Sequence, residues 1–365
     1  MIIQGVVFLG FPVLAMWGAR RSKALGWLGP IVLCYLLGIV LGNLVTMDTD
    51  FASTVTEATV LLAIPLLLFS TDFAEWLRIA RPAAISFGLA TVAVIISSTA
   101  ATLLLSVQHG WQMAGMTVGV YTGGTPNMSA IGLALEVPDE TFVLMNGADV
   151  ILSGLYLIFL FTVGKRLLGR FLPPFDMSVV DEDARFDTRA PFGWKQVVVA
   201  LAMSIGAAGV TVGVVTLVAG GLPIAGVILG ITTVGILGSF LPKVRTLPGT
   251  FETGEFLLLV FAVAVGTLAD IRRLVGSFGS VFLYVAVVLV GAILLHYLLA
   301  AVFRLDTDTV LITSTAAVFG PAFVGPVASA IGNRHVLVSG LATGVVGYAI
   351  GNYAGLALAY LLRPG

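Results

Sequence analysis

The chain has 365 residues, of which 58% are hydrophobic and 10% are charged. Its mean hydropathy is +1.08, and its formal net charge at pH 7 is −1. A water-soluble domain of this length does not need so many apolar residues, so the composition indicates a protein that crosses a lipid bilayer many times. The balanced charge gives no basic surface for nucleic acid, and we expect no nucleic-acid partner.

The N-terminal apolar run is predicted to be the first membrane span. Its basic residues, Arg20, Arg21 and Lys23, follow the run, whereas a cleaved signal peptide carries its positive charge before the run. These charges would hold the end of the span in the cytoplasm. We therefore expect an N-terminus on the outer side of a bacterial cytoplasmic (inner) membrane.

Twelve apolar runs follow one another along the chain in two sets of six. The first set lies near 3–19, 25–45, 54–71, 82–106, 111–135 and 141–164. The second set lies near 195–219, 222–241, 253–269, 277–303, 309–332 and 336–362. A long polar stretch separates the two sets. We therefore divide the chain into an N-terminal repeat, 1–164, a cytoplasmic linker, 165–194, and a C-terminal repeat, 195–365.

The distribution of Lys and Arg indicates that two of the twelve runs do not cross the membrane. If all twelve crossed, fewer than half of the 18 basic residues would face the cytoplasm. If 111–135 and 309–332 instead enter and leave on the same side, all but Arg272, Arg273 and Arg363 face it, as the positive-inside rule requires. The predicted fold is all-α and polytopic: two inverted five-span repeats, about ten spans in total, with one re-entrant hairpin in each repeat.

The two hairpin runs share an irregular sequence. Residues 123–132 read GGTPNMSAIG, and residues 323–332 read FVGPVASAIG. Inside a bilayer, irregular backbone is stable only where protein buries it or where it lines a cavity. Matched breaks in two halves of a chain are typical of transporter binding sites, although small residues also serve close helix packing. We expect the two tips to meet near the centre of the bilayer.

The hairpin tips supply the predicted substrate site. A helix that begins after a tip directs unpaired N–H groups and a partial positive charge towards the bilayer centre, where it can bind a carboxylate without a basic side chain. We expect these helices to begin after Pro126 and Pro326. An interhelical hydrogen bond would explain Asn352, on the last run, equally well. The substrate-binding candidates are Thr122, Gly123, Gly124, Thr125, Pro126, Asn127, Ser129, Gly320, Pro321, Gly325, Pro326, Ser329 and Asn352.

Asp149 is the predicted ion-coupling residue. It lies well inside the run 141–164, where a carboxylate is costly unless it faces a cavity or a partner. It could bind Na⁺, carry a proton or contact a substrate ammonium, and a protonated structural role is the alternative. Asn146 lies on the same helical face and could share the site. Asp72 and Asp270 end runs in the two halves, and we expect both to be solvated.

Several motifs resemble domain-of-unknown-function family 819 of bacterial membrane proteins. They are PIVLCYLLG at 30–38, AIPLLLF at 63–69, GVYTGGTPN at 119–127, NGAD at 146–149, GPAFVGP at 320–326 and GYAIG at 347–351. The layout is more distantly similar to that of the bacterial glutamate–sodium symporters and the 2-hydroxycarboxylate transporters. That resemblance implies an elevator-type, ion-coupled carrier, in which a substrate-carrying core moves against a dimeric scaffold.

We therefore expect an ion-coupled secondary transporter, driven by Na⁺ or H⁺, for a small organic anion or zwitterion such as an amino acid, a short peptide or a carboxylate. Two alternatives stay open: a passive channel or exporter for a small polar solute, and a non-transporting membrane sensor. No enzyme is expected, because the chain has no G-x-S-x-G, H-E-x-x-H or phosphate-loop motif. The three histidines lack metal-ligand spacing, so apart from Na⁺ at Asp149 we expect no metal and no cofactor.

Overall fold

The computed structural model describes residues 2–22, 25, 30–70, 81–175, 192–219, 223–268, 271–333 and 335–364. Within these ranges the chain is helical and contains no β-strand, which confirms the expected all-α class. The helices are α1 (Ile2–Arg21), α2 (Pro30–Leu44), α3 (Thr49–Phe69), α4 (Arg81–Leu105), α5 (Gly110–Gly123), α6 (Thr125–Ala134), α7 (Asp139–Phe159), α8 (Lys165–Leu168), α9 (Trp194–Ala219), α10 (Ile224–Ser239), α11 (Pro242–Arg245), α12 (Thr250–Thr267), α13 (Ile271–Val302), α14 (Thr307–Phe319), α15 (Val324–Ala330) and α16 (Val336–Leu362). A π-helical segment, Leu160–Gly164, joins α7 to α8, and a 3₁₀ turn, Pro321–Phe323, precedes α15.

In the described ranges, eight helical segments are long and apolar enough to cross a membrane. They are Ile3–Arg21, Thr49–Phe69, Arg81–Leu105, Asp139–Leu168, Trp194–Val218, Thr250–Thr267, Phe278–Val302 and Val336–Leu362. The two other spans expected from the sequence, 25–45 and 222–241, correspond to the shorter helices α2 and α10, of 15 and 16 residues. Helices of that length extend about 23 Å, less than the ~30 Å hydrocarbon core of a bilayer.

Large apolar side chains cover much of the outer surface of the helices. Ile3 on α1 is 83% exposed, and Leu217 and Val218 on α9 are 87% and 83% exposed. Contiguous apolar surface of this kind is unusual on a soluble monomer. It is stable against lipid, and all-helical backbone satisfies its own hydrogen bonds there.

Six helices form one group, which we call the frame bundle: α1, α2, α3, α9, α10 and α12. Helix α12 packs along α3 and α2, and α3 packs in turn along α10. The outer helices repeat one arrangement, because α1 contacts α2 and α12 while α9 contacts α10 and α3. Glycine permits a close crossing of α2 and α12: a Cβ atom at Gly38 would lie 2.9 Å from the Cα atom of Gly266.

The other helices, except the short α11, form a second group, the hairpin bundle, which contains α4 to α8 and α13 to α16. Helix α4 packs along α13, α13 also contacts α7, and α16 packs along α5. Both predicted hairpin runs are broken helices in this bundle, α5 with α6 and α14 with α15. The arms of each contact one another, and α5 also contacts α14. The two bundles meet where α6 and α16 pack against α3 and α10.

The stretch predicted as a linker, 165–194, begins as helix. Its first four residues, Lys165–Leu168, continue the span of α7 through the π-helical segment. Residues 169–175 then turn back under the hairpin bundle, where the carbonyl of Pro173 accepts a hydrogen bond from the Thr307 N–H at 2.9 Å. Residues 176–191 lie outside the described residues, as do Asp72 and Asp270, so the expectations for those positions stay predictions.

Candidate functional site

The tips of the two helical hairpins lie against one another. Gly124 ends α5 with φ 77° and ψ −169°, and Gly320 ends α14 with φ 70° and ψ −170°. Both conformations lie where a side chain is strained, so glycine is required at each break. A Cβ atom built on Gly124 would lie 3.9 Å from the amide nitrogen of Gly320. The expectation that the two tips meet is therefore confirmed.

The second break lies four residues before the position expected from the repeated sequence, in which Gly124 corresponds to residue 324. The predictions that helices begin after Pro126 and Pro326 are both wrong, because Pro126 lies within α6 (Thr125–Ala134) and Pro326 lies within α15 (Val324–Ala330). The chain instead breaks at Gly320, and Pro321 opens the following 3₁₀ turn. Gly124 and Gly320, with nearly equal φ and ψ, are thus the equivalent residues.

For the rest of the second hairpin, the structure gives positions only. Gly325 and Ser329 also lie within α15, and the side chains of Pro326 and Ser329 lie outside the described part of the chain. Their predicted contact with substrate stays a prediction.

Polar side chains at the first tip are buried and hydrogen-bonded to protein. The Asn127 amide donates to the carbonyl of Gly347 on α16 at 2.9 Å, and it is 2% exposed. The Thr122 hydroxyl donates to the Val118 carbonyl, and the Ser129 hydroxyl donates to the Thr125 carbonyl. These bonds fix the tip against α16 and within its own helices. Thr125 is the tip residue that is only half-buried, while Gly124 and Pro126 are buried.

Glycines hold α5 against α16. A Cβ atom at Gly123 would lie 2.5 Å from the Gly347 carbonyl oxygen, and one at Gly115 would lie 2.9 Å from that of Gly355. A Cβ atom at Gly351 would overlap the Asn127 amide. Close packing through small residues therefore accounts for Gly123.

Asp149 lies on α7 beside the first tip and is 8% exposed. The Ser153 hydroxyl donates to its Oδ1 atom at 2.7 Å. The Tyr121 hydroxyl is buried next to the carboxylate, but the pair does not meet the geometry of a direct hydrogen bond. Among the described residues, no Lys or Arg pairs with Asp149. Asn146, one helical turn earlier, is also buried at 4% exposure.

Three buried polar atoms have no hydrogen-bond partner among the described residues: Tyr121 Oη, Tyr35 Oη and Asn352 Oδ1. An unsatisfied buried polar group costs about 1–3 kcal/mol, so each such atom calls for an explanation. Tyr121 flanks Asp149, and Tyr35 lies next to Ser129 of the first hairpin. Sequence reasoning missed both tyrosines, because a lone tyrosine in an apolar run gives no distinctive pattern.

Asn352 lies at the boundary between the two bundles. Its Nδ2 atom donates to Thr232 Oγ1 on α10 at 3.0 Å, and the next residue, Tyr353, hydrogen-bonds to Thr233 at 2.7 Å. The amide of Asn352 therefore makes the interhelical bond that was the alternative to substrate binding, and its Oδ1 atom stays unmatched.

Further hydroxyl groups hold the first arm of the second hairpin. Ser314 hydrogen-bonds to the Tyr156 hydroxyl at 2.6 Å, and Tyr156 also bonds to the hydroxyl of Tyr297. The preceding residue, Thr313, bonds to Ser86, whose hydroxyl also contacts His296 Nε2 at 3.1 Å. Tyr156 follows Asp149 and Ser153 on one face of α7. A polar stripe thus runs from Asp149 towards the second hairpin.

The fold and its two opposed helix breaks define the chain as a polytopic α-helical membrane protein. Residues 7–364 match the sequence model of a family described as "Protein of unknown function (DUF819)", and the chain belongs to that family. It is also similar to the uncharacterized membrane protein YjcL of Bacillus subtilis (strain 168). The two are 26% identical over 373 residues, which cover 97% of this chain and 93% of the relative.

Proposed function

We propose that this protein is an ion-coupled secondary transporter for a small organic anion or zwitterion. The observation that carries the proposal is the meeting of two broken helices beside a buried carboxylate that has no basic partner among the described residues. A purely structural bundle gains nothing from a carboxylate and an unmatched tyrosine hydroxyl at this depth, since both are costly in hydrocarbon. A bundle that binds and releases polar solutes needs such groups.

Asp149 is the proposed coupling residue. Its carboxylate, the Ser153 hydroxyl and the nearby Tyr121 hydroxyl are oxygen donors, which suit Na⁺, and the carboxylate can equally carry a proton. Asn146 could supply a further oxygen from the same face of α7. With the ion bound, the charge of the site is neutral, and the cost of keeping Asp149 ionised in the membrane falls.

The substrate is proposed to bind where the tips meet. Helix α6 begins directly after Gly124, and the partial positive charge of its N-terminus together with the Thr125 N–H favours a carboxylate there. Pro126 has no N–H, and the Asn127 N–H donates to the Gly124 carbonyl. The proposed substrate class, a small organic anion or zwitterion, follows from two features. The positive N-terminus of α6 suits a carboxylate, and the nearby Asp149 carboxylate suits the ammonium group of a zwitterion. Asn127 would act by holding the tip in place through its bond to Gly347.

An inverted repeat and elevator-like movement extend the proposal. The matching contacts of α1 with α2 and α12, and of α9 with α10 and α3, support a two-fold relation between the halves. We propose that the frame bundle is the scaffold of a homodimer in the bacterial inner membrane, with the N-terminus outside. Single cysteines at positions 109, 138, 306 and 335, in a Cys34→Ala background, test this with an impermeant thiol reagent in oriented vesicles. The first two should label from the outside and the last two from the inside; labelling of 109 and 138 from opposite sides would contradict the repeat.

A stability screen followed by uptake tests the transport function. Purified protein is heated with amino acids, short peptides or carboxylates, with and without Na⁺ and at several pH values. A ligand at 100 times its Kd raises the unfolding free energy by about 2.7 kcal/mol. Hits are then tested for uptake into liposomes. Accumulation against a gradient that an ionophore abolishes supports coupled transport, uncoupled flux indicates a passive channel, and the absence of both binding and flux indicates a non-transporting module.

A further inference from the structure

A cavity of about 860 Å³ lies at the end of the hairpin bundle where the linker begins. Its lining includes Lys165, Phe175, Thr307, Asp308, Asn333 and His335. These residues come from the end of the α7 span, the start of the linker and both ends of the second hairpin. The volume is that of a small-molecule site.

Lys165 ties the two ends of the second hairpin together. Its ammonium lies 2.9 Å from the Asp308 carboxylate, at the start of α14, and donates to the Ile331 carbonyl, just after α15, at 2.7 Å. The Asn333 amide adds a second bond to Asp308 at 2.9 Å. The Lys165 ammonium therefore joins both arms of the second hairpin beside the cavity. The sequence did not predict this pair, because its members are 143 residues apart.

The two side chains of the ion pair differ in exposure. The Lys165 side chain is 47% exposed, whereas that of Asp308 is 6% exposed. A carboxylate that enters from the linker side can thus reach the ammonium without displacing any helix. Asp308 keeps its bond to the Asn333 amide when the ammonium turns away, so its carboxylate still accepts one hydrogen bond.

The arm that Lys165 holds is a short helix between two glycine turns. Helix α15 has seven residues, and glycines with positive φ lie on both sides of it, Gly320 at 70° and Gly332 at 71°. Nothing lies within 4 Å of a Cβ atom built on Gly332, so the turn is open. Lys165 itself directly follows the π-helical segment Leu160–Gly164, a local distortion often found at functional positions.

We propose that Lys165 is the first binding point for a small carboxylate that enters from the linker side. The carboxylate replaces Asp308 and the Ile331 carbonyl at the ammonium, which frees the second arm and opens the way to the hairpin tips. This step rests on the proposed transport function, since it gives the cargo its route to the tips. The cavity is therefore an entrance site with its own ligand contact.

Thiol labelling tests the proposal without measuring transport. Ala328 lines the cavity and is 2% exposed, so Ala328→Cys in a Cys34→Ala background reports release of the arm. Sodium succinate, compared with sodium chloride at equal ionic strength, should raise the labelling rate by about tenfold, which corresponds to about 1.4 kcal/mol of opening free energy. Lys165→Gln should label fast without succinate and show no response to it.

Two further variants keep the result interpretable. Lys165→Arg preserves the charge and should keep slow labelling that succinate accelerates. Lys165→Gln combined with Asp308→Asn leaves no lone buried charge, so it should fold and label fast in both salts. Slow labelling in the double variant, or an equal succinate effect in the presence and absence of Lys165, would overturn the proposal. If succinate acts through Lys165 while no solute is ever taken up, the entrance site stands and the transport function fails.

Discussion

The two hairpins share their tips but differ at their ends. In the first, a neutral amide joins the two ends: Gln112, 7% exposed, donates to the Leu135 carbonyl at 2.8 Å and also bonds to His109. In the second, the charged Lys165 makes the equivalent bond to the Ile331 carbonyl. Both hairpins are packed against α16 through glycines, but the second arm of the second hairpin is a short helix between two glycine turns. We therefore propose that the first hairpin is fixed and that the second is released at Lys165.

The largest expected effect tests how firmly the first hairpin is fixed. Gly347→Leu should lower the free energy of unfolding by about 3 kcal/mol or more, because its side chain would overlap the Thr122 carbonyl at the crossing of α16 with the tip. Gly213→Leu is the matched control, since nothing lies within 4 Å of that glycine on α9. Denaturation in detergent measures both. Equal stability of the two variants would show that the first hairpin is not held by this crossing.

Asp149→Asn should remove the effect of the coupling ion. The change conserves shape, so the fold should persist while coupled uptake and ion-dependent stabilisation, about 2.7 kcal/mol at 100 times the ion Kd, are lost. Asp50→Asn, which changes an exposed carboxylate at the start of α3, is the control and should behave like the wild type. Thermal unfolding over a series of Na⁺ concentrations and pH values measures the effect. Unchanged ion dependence in Asp149→Asn would leave Asp149 with a structural role alone.

Asn127→Ala should loosen the first tip by a smaller amount. It removes the bond to the Gly347 carbonyl, which keeps its helical hydrogen bond within α16, so the cost is that of one buried hydrogen bond, about 1–1.5 kcal/mol. Asn43→Ala is the comparison, because Asn43 is exposed and its amide donates to the Ile39 carbonyl within its own helix. Unfolding midpoints and affinity for a hit from the ligand screen should both fall for Asn127→Ala. If the midpoint falls and the affinity does not, the tip does not form the substrate site.

Gln112→Leu should have the smallest effect and sharpens the contrast at the hairpin ends. The loss of one neutral hydrogen bond should cost about 1 kcal/mol. Labelling of Ala134→Cys, at the end of the first hairpin, should stay slow and should not respond to succinate. Fast or succinate-dependent labelling there would mean that both hairpins open, and the distinction between them would disappear.

Composition and broken apolar runs were sufficient to predict the all-α class, the two broken helices and the meeting of the breaks, because these depend on local backbone chemistry. Whether the two broken helices re-enter the membrane on the same side stays a prediction. The repeated SAIG sequence led to a wrong position for the second helix break. In the first hairpin these residues lie inside α6, whereas in the second hairpin they lie at the end of α15. Tyr121 beside Asp149, Asn352 against Thr232, and Lys165 on Asp308 all depend on contacts between distant segments. No spacing within a single run reveals such contacts.

The boundary between the two bundles also bears on the rate of the proposed transport cycle. Among the described residues, the side-chain hydrogen bonds that cross it include those of Asn352 and Tyr353, and the rest of the contact includes aromatic packing such as Phe142 against Phe261 at 5.5 Å. Hydrogen bonds between helices in a membrane are worth about 0.6 kcal/mol each. In the proposed transport cycle, a displacement of one bundle along the other would break bonds that are individually weak. On that proposal, the polar contacts on α10 would tune turnover rather than affinity.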